Sequence, residues 1–318
     1  MITDFQCNMV YLSSSLRRES PKTYASLVSA LEKHGAEYRF LDNTHDIWCR
    51  DYMPVQVAED TFCGFDYDPD YLHESKELLA TRTDGNMVCH DLGLEVKQPA
   101  TPLIIDGGNV IRCDNKIIMI EKVFRENNYS KDNLAKAIEE HFMAELIVLP
   151  WDESEIYGHA DGLVRYIGND RVLITNYDRF DKSFTRKVIE ALRQHFKEVF
   201  KLEYNVQRQH KHNWAYINWL QTDKVLLIPS FGYPEDEQAF KQITALMPMY
   251  QGYAEMINVK DLIRHEGCLN CVSWTIRQGL SLQSGIVKMI GKGCVRKNVA
   301  QCSERSGSGN CSGESRER

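Results

Sequence analysis

The chain has 318 residues, of which 43% are hydrophobic and 26% are charged. This composition is typical of a globular chain with one large core or two modest ones, and it excludes a disordered or coiled-coil chain. The formal net charge of −7 disfavours nucleic acid and anionic membranes as partners, because both would require an excess of Lys and Arg. An acidic chain can bind a cationic ligand if its acids converge on a pocket.

Location and redox state follow from two further patterns. No apolar run approaches the ~20 residues that cross a bilayer, and residues 1–9 lack the basic stretch and apolar core of a secretory signal. We therefore predict a cytoplasmic protein. The ten cysteines have no regular spacing in this long chain, which is typical of reduced thiols rather than of a disulfide framework.

Predicted strands and helices alternate along the chain. Period-two apolar patterns predict strands at 37–41, 103–105, 109–112, 116–120, 146–149, 163–167, 172–175 and 224–229. Helical spacing predicts helices at 21–34, 131–142, 184–196 and 234–247. Two adjacent strands with a helix before or after them recur roughly every 55 to 70 residues, which is the range of a repeat architecture.

The composition changes after about Gly279. Residues 303–313 are almost wholly Ser, Gly and charged residues, too poor in apolar groups to offset the entropy of ordering. We therefore predict a single domain over 1–294 and a disordered tail over 295–318. The tail cysteines could form a metal-binding tract, but incidental thiols in a flexible segment are the stronger interpretation.

Two loops carry acids beside residues that suit a bound cation. The loop 45–54 contains Trp48 and Asp51. A solvated turn is the ordinary interpretation, but Trp is costly to expose, and an acid beside Trp can hold a planar cation that stacks on the ring. The stretch 106–109, Asp-Gly-Gly-Asn, is either a hairpin turn or a place where glycines let the backbone approach a ligand toward which Asp106 points.

Two further stretches combine polar and aromatic groups. In 158–162, an extended backbone would place His159 and Asp161 on one face between two glycines. Such a pair suits a proton shuttle at a ligand, whereas a lone surface histidine usually has no chemical role. The aromatic residues of 213–220 are better explained as the core face of a strand.

The stretch 265–274 contains the pair Cys268 and Cys271. A structural zinc site normally needs a second ligand pair at a set distance, and the nearest candidates, His210 and His212, lie about 56 residues upstream. A redox pair normally opens a helix, whereas β-forming residues follow Cys271. The remaining interpretations are a buried thiol and a nucleophile.

Taken in this order, the stretches resemble the family of agmatine deiminases and bacterial-type peptidylarginine deiminases, which modify guanidines. The resemblance spans about 40–277. The family's Trp-x-Arg-Asp-x-x-Pro stretch is similar to Trp48–Pro54, its Glu-Gly-Gly-Asn to Asp106–Asn109, its Gly-His-x-Asp to Gly158–Asp161, its Tyr-x-Asn with a later Pro to Tyr216, Asn218 and Pro229, and its closing glycine-rich segment with the catalytic Cys to Gly267–Cys271.

The chain departs from the family pattern at three places. Asp106 stands where Glu is usual, and Met53 replaces a glycine. The closing segment lacks several glycines and the His that commonly precedes the catalytic Cys. We assign the nucleophile to Cys271, because it keeps the family spacing to Gly267 and is followed two residues later by Ser; Cys268 is the alternative.

The resemblance implies a five-bladed α/β propeller, or pentein, with ββαβ-type repeats around a central active-site cavity. It also implies a catalytic set, which is Cys271 as nucleophile, His159 as acid and base, and Asp106 as the group that orients His159. The substrate-binding residues that we predict are Asp51, Asp161, Trp48, Gly107, Asn109 and Glu155, with Asp51 and Asp161 as the fork for a guanidinium. No cofactor and no metal are implied.

The expected reaction is hydrolysis of a small guanidino compound. Agmatine would give N-carbamoylputrescine and ammonia, with Glu155 or its acidic neighbours in 152–155 facing the second cation. A solvated acidic loop is an equally good interpretation of these acids. Arginine or peptidyl-arginine as substrate, amidino transfer, and a degenerate member that only binds remain alternatives; a homo-oligomer is possible.

Overall fold

A computed structural model describes residues 1–279. These residues form five three-stranded sheets of mixed α/β architecture. The strands are β1 (Met9–Ser13), β2 (Glu37–Leu41), β3 (Val55–Ala58), β4 (Thr61–Cys63), β5 (Val96–Lys97), β6 (Ile111–Cys113), β7 (Lys116–Ile120), β8 (Glu145–Leu149), β9 (Val164–Tyr166), β10 (Arg171–Ile174), β11 (Glu198–Lys201), β12 (Leu220–Gln221), β13 (Leu226–Ser230), β14 (Ala254–Asn258) and β15 (Ser273–Ile276).

The sheets share one topology. In each, the middle strand is antiparallel to one neighbour and parallel to the other. Four sheets use consecutive strands, β3 to β5, β6 to β8, β9 to β11 and β12 to β14, whereas the fifth joins β15 to β1 and β2. The end of the described chain therefore pairs with its beginning, with Tyr11 opposite Trp274.

Helices connect the parallel strands, as the geometry of a parallel pair requires. The helices are α1 (Leu16–Glu19), α2 (Pro21–Lys33), α3 (Cys49–Tyr52), α4 (Lys76–Leu79), α5 (Gly85–Asp91), α6 (Lys122–Glu126), α7 (Lys131–Phe142), α8 (Lys182–Arg193) and α9 (Pro234–Leu246). All except α3 lie in the crossover between the parallel strands of one sheet. No helix in residues 1–279 is long and apolar enough to span a membrane.

Most predicted elements are confirmed, with small shifts at their ends. The predicted helix 184–196 begins two residues earlier, at Lys182, because the Asp181 side chain caps it by accepting from the Phe184 N–H. The predicted strand 103–105 is wrong: only Ile104 forms a bridge, to Asp66. The predicted tail, its cysteines and the boundary at 294 lie outside the described residues.

The site loops occupy equivalent positions in the five sheets. Each lies directly before the first strand of an antiparallel pair, with α3 before β3, residues 106–109 before β6, residues 159–162 before β9, residues 213–218 before β12 and residues 268–272 before β15. Backbone hydrogen bonds connect two pairs of these loops, from Arg50 N–H to the Cys271 carbonyl at 3.0 Å and from Asn270 N–H to the Asn218 carbonyl at 3.1 Å. The fold therefore brings together residues that are far apart in sequence.

Candidate active site

Cys271 lies at the wall of a cavity of about 580 Å³ that His159 and Asp161 also line. The Cys271 side chain is 5% exposed. Its Sγ lies 3.4 Å from Asn218 Oδ1 and 3.6 Å from Asp161 Oδ2. The thiol is thus accessible from the cavity and contacts a carboxylate.

Cys268 has a different environment. It is fully buried and belongs to an apolar core cluster, so of these two thiols only Cys271 lines the cavity. Burial raises the pKa of both thiols, and the carboxylates of Asp161 and Asp51 raise that of Cys271 further. Without a cation in the cavity, Cys271 is therefore held as a neutral thiol at pH 7.

His159 pairs with Asp106. Its Nε2 lies 2.7 Å from Asp106 Oδ2, which leaves Nδ1 as the ring nitrogen outside this contact. Burial alone would lower the pKa of His159, but the charges of Asp106 and Asp51 outweigh it, and the pKa is raised well above its usual range. Burial alone would raise the pKa of Asp106, but the charge of His159 and the hydrogen bonds from His159 and Tyr71 outweigh it and lower that pKa. The pair is therefore an imidazolium and a carboxylate.

Asp51 is the carboxylate best suited to receive a cation. It is 5% exposed, and its Oδ1 has no hydrogen-bond partner among residues 1–279. Burial raises the pKa of Asp51 well above its usual range, and Asp106 raises it further. A buried carboxylate oxygen without a donor is costly, and a bound cation would remove that cost.

Asp51, Asp106 and His159 offer ligand atoms that all lie within 4.8 Å of one another, a spacing that a metal ion could bridge. An imidazolium donates hydrogen bonds and has no lone pair for a metal, however. The charges of Asp106 and Asp51 keep His159 protonated in the metal-free protein, so a metal ion bound here would have to displace that proton.

Asp161 is fixed by residues of two other loops. Its Oδ2 accepts a hydrogen bond from Asn270 Nδ2 at 2.6 Å, and Asn218 Oδ1 accepts from the backbone N–H of Asn270 at 3.0 Å. Asn270 occupies the position where the resemblance leads one to expect His, and it is only 2% exposed. The altered residue is therefore part of the site and orients Asp161 beside the thiol.

Glycines allow the loops to approach one another. A Cβ at Gly108 would lie 2.5 Å from His159 Nδ1 and 2.8 Å from Asp51 Oδ1, and one at Gly107 would collide with the carbonyl oxygen of Arg50. Of the two interpretations of 106–109, the hairpin turn is wrong, because 107–109 form a 3-10 helix before β6. The atoms nearest these glycines belong to Arg50, Asp51 and His159 of neighbouring loops. The geometry therefore adds no support for the predicted role of Gly107 as a substrate-binding residue.

Asn109 also acts on the chain. Its Nδ2 donates to the Ile120 carbonyl at 3.3 Å, and its Oδ1 accepts from the Ile120 N–H at 2.7 Å. Because both polar atoms of this buried side chain bind the end of β7, the amide holds the backbone there, and the substrate contact of Asn109 stays a prediction. Trp48 packs its ring against Gly267 and is not among the residues that line the cavity.

The backbone around His159 differs from the expected extended segment. Residues 160–162 form a 3-10 helix with His159 at its N-cap, yet His159 and Asp161 still line the same cavity. The aromatic stretch 213–220 likewise begins as a 3-10 helix, over Asn213–Ile217. Its Tyr216 and Trp219 are fully buried, as predicted, whereas Trp214 lines the cavity.

The outer cavity wall is aromatic and acidic. Glu155 lines it and accepts backbone N–H groups of Tyr157 and Gly158, at 3.2 Å and 2.6 Å. Glu266, with a left-handed φ of 65°, accepts the Tyr157 hydroxyl at 2.9 Å. Other lining residues are Trp151, Asp152, Tyr177, Phe180, Phe184 and His212.

Sequence reasoning missed three residues of the site: Tyr71, Asn218 and Asn270. Asn218 falls in the matched Tyr-x-Asn motif and Asn270 at a departure from the family pattern, so both could have been assigned from their positions. Tyr71 lies in a 3-10 helix, Asp70–Glu74, that belongs to none of the motifs. Its hydroxyl donates to Asp106 Oδ2 at 2.5 Å, and no local pattern indicates that contact.

Comparisons with known proteins show the family of the chain. The family model of the Porphyromonas-type peptidyl-arginine deiminases matches residues 6–276. The chain therefore belongs to this family, and the resemblance inferred from the motifs is confirmed. No curated protein sequence matches the chain.

Solved structures show the same fold. An agmatine deiminase from C. jejuni is 17% identical with a TM-score of 0.63, covering 88% of this chain and 96% of its own. The agmatine deiminase of Enterococcus faecalis is 13% identical with a TM-score of 0.63, covering 87% and 95%. A dimethylarginine dimethylaminohydrolase adduct is 13% identical with a TM-score of 0.55, covering 85% and 100%. These likenesses establish the fold class of small mixed sheets with helices.

Proposed function

We propose that the protein is a hydrolase of guanidino C–N bonds that deiminates a small cationic guanidine through a covalent Cys271 adduct. The observation that carries the proposal is the meeting of a thiol, an imidazolium and three buried carboxylates from four loops. Family membership supports this function. The five repeated sheets support an arrangement as the blades of a propeller around the site.

Asp51 and Asp161 bind the guanidinium in this proposal. A guanidinium is planar and permanently charged, and its carbon is a poor electrophile until the charge is localised. Two carboxylates in a fork localise it and select its shape, with charge-assisted hydrogen bonds worth about 1.5 to 3 kcal/mol each. The unpartnered Oδ1 of Asp51 supports this role.

The reaction then proceeds in two halves. The Cys271 thiolate attacks the central carbon to give a tetrahedral adduct, and His159 donates a proton to the departing nitrogen, so that ammonia leaves and an S-alkylthiouronium remains. In the second half the neutral His159 accepts a proton from water as the water attacks the same carbon. The C–S bond then breaks, the proton of the adduct's hydroxyl passes to the departing sulfur, and the ureido product leaves with the Cys271 thiol restored.

The surroundings of Cys271 imply that substrate binding activates the thiol. Burial and the carboxylates of Asp161 and Asp51 raise the pKa of Cys271, which disfavours a resting thiolate at pH 7. A guanidinium between these carboxylates neutralises their charge and favours the thiolate. Activation is therefore coupled to occupancy by a cation.

Agmatine is the preferred substrate, with N-carbamoylputrescine and ammonia as products. The acids Asp152, Glu155 and Glu266 on the outer wall can face a second cation, whereas they would repel the carboxylate of free arginine. A cytoplasmic location, the absence of a cofactor and of nucleic-acid or membrane partners, and a homo-oligomeric state stay predictions of the sequence.

The test is a panel of agmatine, arginine and an arginine-containing peptide, scored for ammonia without an added amine. We expect agmatine to release ammonia with the wild type, none with Cys271→Ser, and wild-type release within about threefold with the matched Cys268→Ser. Ammonia from none of the three substrates, or undiminished release by Cys271→Ser, would contradict the proposal.

Two rival functions give different outcomes. Amidino transfer would pass the amidino carbon from the Cys271 adduct to an amine in place of water, so it would give little ureido product without an acceptor and a new guanidine when an amine is added. A member that only binds would show no turnover, and a haloacetamidine would label its exposed thiols without preference, whereas a live nucleophile would be labelled selectively at Cys271, as read by mass spectrometry.

A further inference from the structure

Two buried tyrosines form a hydrogen-bonded chain behind His159. Tyr71 donates its hydroxyl to Asp106 Oδ2 at 2.5 Å, the same oxygen that lies 2.7 Å from His159 Nε2. The hydroxyl of Tyr67 lies 3.2 Å from that of Tyr71. Because Tyr71 has one hydroxyl proton and directs it to Asp106, Tyr67 is the donor to Tyr71, and the chain runs from Tyr67 through Tyr71 and Asp106 to His159.

The surroundings of Tyr67 and Tyr71 fix the geometry of this hydrogen-bonded chain. Tyr67 and Tyr71 are 6% and 9% exposed. The Lys122 Nζ lies 5.0 Å from the centre of the Tyr71 ring and 2.8 Å from Asp70 Oδ1. Tyr71 also packs edge to face on the ring of Tyr157, with ring centres 5.1 Å apart. The phenol of Tyr71 thus has a fixed position beside Asp106.

We propose that Tyr71 is a positioning residue that sets how tightly Asp106 holds the proton of His159. Asp106 Oδ2 accepts the Tyr71 hydroxyl and also forms the 2.7 Å ion pair with His159 Nε2, so each contact weakens this oxygen as a partner for the other. The Tyr71 hydroxyl stabilises the charge of Asp106 and keeps the His159 proton transferable. Without it, Asp106 would bind that proton more strongly, and the neutral imidazole needed for water attack would become scarce.

Other charged and titratable groups also lie around His159 and Asp106. Substitutions at Tyr71 leave these groups, and their effect on the pKa of His159, unchanged. Those facing His159 are Asp51 on α3, Asp161 on the 3-10 helix 160–162, and Cys271 and Tyr157 on the cavity wall; those near Tyr71 and Asp106 are Lys122 and Glu126 on α6 and Asp70. None of them donates a hydrogen bond to Asp106 Oδ2.

The test is NMR titration of the imidazoles in the full chain, with the His159 signals assigned from a His159→Asn variant. We expect Tyr71→Phe to raise the pKa of His159 by about one unit, because it removes a donor to the carboxylate that holds the imidazolium. Tyr67→Phe is the matched control: it deletes the same hydroxyl from an equally buried tyrosine one bond further away, and we expect less than half that rise.

Activity gives a second readout that rests on the proposed function. The pH profile of ammonia release is expected to move about one unit toward higher pH in Tyr71→Phe, with kcat at pH 7 reduced about tenfold and partly recovered at pH 9. A merely structural defect would lower activity equally at all pH values. The titration does not need turnover, so a protein without deiminase activity would overturn the proposed function and leave this inference testable.

A smaller change at position 71 keeps the inference testable if Tyr71→Phe does not fold. Site-specific 3-fluorotyrosine at 71 has a more acidic phenol, donates more strongly, and is expected to lower the pKa of His159. An unchanged or lowered pKa in folded Tyr71→Phe, equal shifts in Tyr67→Phe and Tyr71→Phe, or an unchanged pKa with 3-fluorotyrosine would each overturn the inference.

Discussion

Gly108→Ala offers the most direct test of the geometry, because a methyl group at this position would displace His159 and Asp51, and the proposed reaction needs both. An Ala at this position would place its Cβ 2.5 Å from His159 Nδ1 and 2.8 Å from Asp51 Oδ1. The φ of Gly108 does not lie in the left-handed region, so the substitution introduces a contact without backbone strain. The imidazole and the carboxylate cannot both remain where they are.

The size of the required movement sets the expected loss. Ordinary contacts of a Cβ begin at 3.4 Å, so His159 Nδ1 has to move by about 0.9 Å and Asp51 Oδ1 by about 0.6 Å. Misplacement of reacting groups by about 1 Å costs about 100-fold in rate, which corresponds to about 2.7 kcal/mol of transition-state stabilisation. Overpacking also lowers the free energy of unfolding by about 1 to 3 kcal/mol.

The assay is kcat/KM for ammonia release from agmatine, with urea unfolding of the same preparations. Gly162→Ala is the control, since its Cβ would meet Trp214 at 3.5 Å, an ordinary contact; we expect it to stay within about threefold of the wild type. A Gly108→Ala enzyme with more than a third of wild-type kcat/KM would refute the placement of His159 and Asp51 around this glycine.

Three further predictions concern charge. Asp4→Asn leaves Arg112 and Arg165 buried without their shared carboxylate, so urea unfolding should show a loss of about 3 to 5 kcal/mol; a loss below 1 kcal/mol would contradict it. Burial raises the pKa of Asp46 to about 6. The folded state then binds more protons than the unfolded state between about pH 4 and pH 6, so Asp46 makes the free energy of unfolding fall as pH rises through this window. Asp46→Asn should therefore be more stable than the wild type at pH 7 but not at pH 4. Equal stability differences at both pH values would contradict this prediction. The alkylation rate of Cys271 by iodoacetamide without substrate should titrate above the free thiol value of about 8.5, and a midpoint below 7 would exclude activation by substrate.

The fold could be predicted from the sequence to the extent that local patterns specify it. Strands such as β7, with its continuous run of apolar residues after Lys116, and helices such as α7, capped by Ser130, carry their signals within a few residues. The strand predicted at 103–105 failed because its apolar residues pack without a ladder partner beyond one bridge. The pairing of β15 with β1 is a contact between the ends of the described chain that no local pattern contains.

The site was predictable where chemistry and position coincide. His159, Asp106, Asp161 and Cys271 belong to motifs, and the structure brings them together as expected. Asn109 shows the limit of such reasoning: it belongs to a matched motif, and the contacts of its amide in the structure are with the end of β7. A motif records which residues a loop needs, but it does not separate those that face the cavity from those that hold the loop.

The position of the loops explains why residues from such distant parts of the chain meet. Every site loop precedes the first strand of an antiparallel pair, and the five sheets repeat one topology. Repetition gives each sheet an equivalent loop, and each loop contributes a different group: Asp51, Asp106, His159 with Asp161, Asn218, and Cys271. The chemistry is therefore divided among repeats that share a backbone plan without sharing sequence, so a change in one loop, such as Asn270, can alter the site while the fold stays intact.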